Sequence, residues 1–89
     1  MSSKINEDEV SYKSIKMVLG DMGLGILKVL RLGPMDLKSI NFLSGIPMAC
    51  VKGRIPVLIS LNMIKKSGIY YSLENEGLNF LKYLEAEEQ

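Results

Sequence analysis

The side chains best equipped for chemistry in this 89-residue chain are cations. Lys52 and Arg54 lie inside "CVKGRIPVLISLNMIKK" (residues 50–66), and Lys65 and Lys66 close that stretch beside Ser67 and Gly68. Such groups donate hydrogen bonds to phosphate oxygens, and Lys or Arg can also reach the acceptor edge of guanine. Two lysines at a Ser-Gly turn suit a phosphate; the plainer alternative is a hairpin edge protected by Lys. Other chemistries lack their parts. The chain has no histidine, so neither a Ser-His-Asp nor a Cys-His arrangement can form, and no Cys/His zinc site is available. A single cysteine, Cys50, leaves no intrachain disulfide and reads as a small buried residue beside Val51. "GDMGLG" at 20–25 has the wrong spacing for a phosphate loop and no strand before it, so it reads as a helix break. No enzyme, cofactor or metal is expected.

The cations are not spread evenly. Residues 10 to 73 carry nine Lys or Arg against only Asp21 and Asp36, a balance of +7, while residues 1–9 stand at −2 and 74–89 at −4. Lys13, Lys16, Lys28, Arg31 and Lys38 belong to this positive middle, although such residues are more often plain surface. A basic centre between acidic ends fits a polyanion-binding surface with solvated termini; ordinary solubility charge is the alternative.

Five or six short elements must position these residues. Acids at 7–9 open "EDEVSYKSIKMVL", as a helix N-terminus favours, and "GDMG" interrupts that helix. "LGILKVLRL" follows until Gly33-Pro34 stops it. Asp36 is a good N-cap for the two turns of "LKSINFL", which Ser44-Gly45 closes. Pro47 then opens a helix whose buried face is Val51, Ile55 and Leu58. Gly53 and Pro56 are costly inside it, by about 1 and 3 kcal/mol relative to Ala. They read either as a tolerated kink on a solvated face or as small residues that let a partner approach closely. "MIKK", a Ser67-Gly68 turn and "IYYSL" form a hairpin in which one of Tyr70 and Tyr71 packs inward. A last helix starts near Asn75 or Ser72, with Leu78, Leu81 and Leu84 in one stripe and Phe80 and Tyr83 beside it.

The expected fold is therefore mainly α with a small β-hairpin, in the order of a winged helix-turn-helix. At family level, residues 19–77 resemble the arsenic-repressor-like (ArsR) branch of winged-helix regulators. The resemblance rests on "LGD" (19–21), "ILKVLRLGP" (26–34), "LSGIPMACVKGRI" (43–55), "VLISLNMIKK" (57–66) and "YYSLENEG" (70–77). It implies a homodimeric regulator that places its longer helix in the major groove of double-stranded DNA and its wing on the backbone. The groove-facing positions would be Pro47, Met48, Ala49, Lys52, Gly53 and Pro56, with Arg54 at the side; Lys65, Lys66 and Ser67 would be the wing contacts. Relatives usually carry Ser, Gln, Thr or Arg on that helix, where this chain has Met48 and Ala49. The paired metal-binding cysteines of metal-sensing relatives are replaced by "MDLKSI", which implies that no metal is involved.

One domain, 1–89, is expected, with a polar tail at 1–9 and flanking helices at 10–20 and 75–87. If Leu78 and Leu81 cover the core, Phe80, Tyr83 and Leu84 are left without intramolecular partners. The first helix has the same surplus in Val10, Ile15, Met17 and Val18, so these residues are the expected dimer interface. The longest uncharged run is 13 residues, too short to cross a bilayer, and the N-terminus is polar, so no membrane partner is expected and a cytoplasmic location is. Two functions stay open: a DNA-binding transcriptional regulator, favoured by the charge and the wing lysines, and a winged-helix protein–protein interaction module, favoured by "PMA" and Ile59.

Overall fold

The computed structural model describes the backbone of residues 7–87 and the side chains from residue 12 onward. The elements are α1 (Glu7–Leu30), α2 (Leu37–Ser44), α3 (Met48–Ser60), β1 (Ile64–Ser67), β2 (Tyr70–Leu73) and α4 (Asn75–Glu87). This is the winged helix-turn-helix order expected from the sequence.

The boundaries follow from local chemistry. Asp36 caps α2 by accepting the Ser39 backbone N–H at 2.9 Å, which removes one orphan donor of the first turn. Gly45 ends α2 in the left-handed region, φ 74°, and its N–H returns to the Asn41 carbonyl. α1 departs from expectation. "GDMG" does not separate two helices: only Gly20 leaves helical geometry (φ 64°, ψ −173°), and helix resumes at once. Positive φ is a conformation that glycine adopts without a Cβ penalty, so one residue suffices for the break. The helix also starts at Glu7, so residues 7–9 are not a free tail, while residues 1–6 of that tail lie outside the described residues.

β1 and β2 pair antiparallel, with Ile64 opposite Leu73 and Ser67 opposite Tyr70. Tyr71 is the inward tyrosine and Tyr70 the outward one. Met35 pairs with Tyr71 on the free side of β2 and so ties the wing to the segment before α2.

One core unites these elements: Leu19, Ile26, Leu27 and Leu30 from α1, Ile40 from α2, and Val51, Ile55 and Leu58 from α3, with Met63, Ile64, Phe80, Leu81 and Leu84. Each such side chain contributes about 1.5–3 kcal/mol when fully buried. The α4 register corrects the sequence reading. Phe80 is fully buried and Leu84 nearly so, at 0% and 5% exposure, so neither is left over for a dimer interface. Gly77 sets this register. A Cβ there would overlap the Met63 carbonyl, so α4 meets the chain just before β1 on its glycine face, and Phe80, Leu81 and Leu84 lie on that same face. Leu78 is only half-buried.

On α1, by contrast, Met17 and Val18 are 84% and 66% exposed. Ile15 is half-buried against the core. Tyr83 packs on Tyr12 with ring centroids 5.1 Å apart and donates its hydroxyl to Glu87 at 3.0 Å. Val10 lies in α1, but its side chain is outside the described residues.

Candidate nucleic-acid interface

The turn between α2 and α3 is held by three polar contacts that the sequence places locally. The Asn41 side-chain amide donates to the Ile46 carbonyl at 2.6 Å, the Ile46 N–H to the Ser44 hydroxyl at 3.1 Å, and the Val51 N–H to the Pro47 carbonyl at 3.0 Å. The chain bends by 113° between the two helices, within the range of a helix-turn-helix. α3 then runs as one helix through Pro56.

Its faces divide cleanly. Val51, Ile55 and Leu58 are buried; Cys50, Arg54, Val57 and Leu61 form a half-buried flank; Ala49, Gly53, Pro56 and Ser60 are exposed on the opposite side. Lys52 is exposed on the other flank with Ile59, and Met48 is half-buried at the start of the helix. Arg54 is only partly exposed. Its Nε is shut off from solvent and has no hydrogen-bond partner among the described residues, so its stem lies along the protein.

On the wing, Lys65, Lys66 and Ser67 are all exposed. The Lys66 ammonium stands 6.0 Å from the centre of the Tyr71 ring, at the outer limit of a cation–π contact. Lys38, which the sequence placed only in the basic background, lines the same open hollow as Lys66, with Asp36, Leu37, Ile69 and Tyr71. The first turn of α2 and the wing thus share one surface. Its position one residue after the capped start of α2, with the wing fixed to Met35, is the signal that could have raised it.

Two of the cations are ion-paired. Lys16 pairs with Glu87 at 3.3 Å, and Arg31 with Glu85. Lys38, Lys52, Arg54, Lys65 and Lys66 have no carboxylate partner among the described residues. From Leu37 to Leu73 the chain contains those five cations and no acid. Asp36, just before them, is committed to its cap: the Ser39 backbone N–H, with help from the Ser39 hydroxyl, holds its pKa below the usual aspartate value. A surface of this kind attracts a polyanion.

Among the described residues, no three Cys, Asp or Glu side chains converge as a metal site would require. No single helix there is long and apolar enough to cross a membrane.

No family model and no curated protein matches the chain in sequence. Solved structures do match in shape. Ligand-free NadR superposes with a TM-score of 0.69 at 16% identity, over 96% of this chain and 73% of that one. The homodimeric winged helix-turn-helix DNA-binding domain of a possible ArsR-family transcriptional regulator from Mycobacterium bovis gives 0.65 at 20% identity, over 100% of this chain and 93% of that fragment. At these identities the likeness is one of fold, and the fold of this chain is the winged helix-turn-helix.

Proposed function

We propose that the protein is a DNA-binding transcriptional regulator that acts in the cytoplasm as a homodimer. α3 enters the major groove of double-stranded DNA, and Lys65, Lys66 and Ser67 of the wing meet the phosphate backbone. The observation that carries this reading is the run of five cations without carboxylate partners across α2, α3 and the wing, on a fold whose neighbours include a DNA-binding domain. Lys52 contacts a phosphate or a guanine, Arg54 a phosphate at the helix side, and Met48, Ala49 and Gly53 let the helix approach closely. Lys38 joins them from α2. Neither a metal nor a cofactor is needed.

The homodimer forms through α1, where Met17 and Val18 expose apolar surface next to an open hollow lined by Lys13, Lys16, Gly20, Leu24 and Glu87. A two-fold axis there buries the same patch from both copies.

Mobility-shift titration of duplex DNA at two salt concentrations tests the reading. Affinity falls steeply as salt rises, because each phosphate contact adds about 0.9 to the log–log slope. No binding at low salt refutes it. A second reading, a protein–protein interaction module, is favoured by Phe42 and Leu43, which α2 holds 83% and 51% exposed. It predicts no DNA complex under the same conditions.

A further inference from the structure

Side chains that read base edges offer donors and acceptors in a fixed pair, most often Arg to guanine and Asn or Gln to adenine. The exposed face of α3 offers almost none. Of Ala49, Gly53, Pro56 and Ser60, only Ser60 has a hydrogen-bonding side chain, and its hydroxyl donates to the Val57 carbonyl at 2.7 Å. Helix-turn-helix proteins contact bases mainly from the start of the recognition helix. Met48 and Ala49 stand there and can give only apolar contact, for instance to a thymine methyl. Lys52 is the exposed cation of that half of the helix, a point charge without a planar fork. Arg54 has the fork, but it lies on the half-buried flank with its Nε already enclosed. The cations therefore surround a surface that cannot decode the bases between them.

We propose that the protein recognises duplex DNA by phosphate contact and shape, with less than about a hundredfold discrimination between base sequences. This rests on the DNA-binding reading and adds the substrate class: duplexes of essentially any sequence, with at most a lean toward thymine methyl groups and one guanine per Lys52. A helix-turn-helix regulator with a base code prefers its own site by about 10³-fold or more.

The test is a competition assay with the 89-residue chain. A labelled duplex is displaced by A·T-only, G·C-only and mixed duplexes of equal length, and a random library is carried through repeated rounds of selection. Competition constants within about a hundredfold and no enriched motif are the expected result. Lys52→Ala, at an exposed position, weakens binding to all the duplexes by a similar factor. Enrichment of one motif by more than about a hundredfold, or a Lys52→Ala loss confined to one sequence, overturns the inference and leaves DNA binding standing. Failure to bind any duplex at low salt overturns the DNA-binding reading itself, and the inference with it.

Discussion

Met35 and Tyr71 exchange both of their backbone hydrogen bonds, the Met35 N–H to the Tyr71 carbonyl at 2.9 Å and the Tyr71 N–H to the Met35 carbonyl at 2.8 Å. A two-stranded hairpin alone is marginal in water. Here the wing gains a third backbone partner from the segment that leads into Asp36 and α2. The wing lysines are thereby fixed relative to the helix-turn-helix.

That anchoring distinguishes the cations. Lys65→Ala and Lys66→Ala should each lower DNA affinity and reduce the salt slope by about 0.9. Lys16→Ala and Arg31→Ala should leave both unchanged, since these residues are paired with Glu87 and Glu85. Titrations of the four variants over a range of salt check this, and an equal effect of all four contradicts it.

Two glycines inside helices should respond to alanine in opposite directions. Gly77→Ala forces a methyl group into the Met63 carbonyl, and overpacking of this kind costs about 1–3 kcal/mol. Gly53→Ala meets nothing within 4 Å and gains up to about 1 kcal/mol from helix propensity. Thermal unfolding reads both: a lower Tm for the first and a higher Tm for the second.

Asp36 gives the fold an acid-sensitive contact. Its folded-state pKa lies below the unfolded value because the charged carboxylate accepts the Ser39 N–H. The stability it contributes is therefore complete above the unfolded pKa, about 4, and is lost as pH falls through the lower folded value. Asp36→Asn should remove this part of the pH dependence. Urea unfolding from neutral pH down to pH 2–3 should show a shallower acid decline for the variant than for the parent protein.

Sedimentation at micromolar concentration should give a dimeric mass. Met17→Glu should give a monomer with an unchanged circular dichroism spectrum, because its side chain is exposed in the protomer. Phe80→Glu should instead unfold the chain, since its ring is fully enclosed. A monomeric parent protein refutes the dimer.

Most of the fold was legible because its boundaries are set by single residues. Gly33-Pro34, the Asp36 cap, the Gly45 stop and the turn after Ser67 each leave a local signature, and the buried Val51, Ile55 and Leu58 follow helical spacing. The α4 register was not legible. Leu78, Leu81 and Leu84 make as good a stripe as Phe80, Leu81 and Leu84, and the choice between them depends on how closely Gly77 approaches a carbonyl that the sequence places fourteen positions earlier. The break in α1 was legible as chemistry but not as extent, because Asp21, Met22 and Gly23 resume helix once Gly20 has turned. At the interface, the residue types announced cations, yet only the folded chain separates free Lys65 and Lys66 from paired Lys16 and Arg31. The enclosed Nε of Arg54 depends on packing of the half-buried flank, for which one-dimensional spacing has no signal.

The turn at Gly20 also decides how force travels through the molecule. Before it, Tyr12 leans on Phe80 and Tyr83, and Lys16 holds Glu87, so that portion of α1 rides with α4. After it, Ile26, Leu27 and Leu30 are set in the core with α3. A helix without the break would be a rod, and a load on its first turn would pass straight along its axis. Gly20 makes it a jointed arm, in which the buried Leu19 anchors the turn to the core and a pull on the N-terminal half is shared with α4.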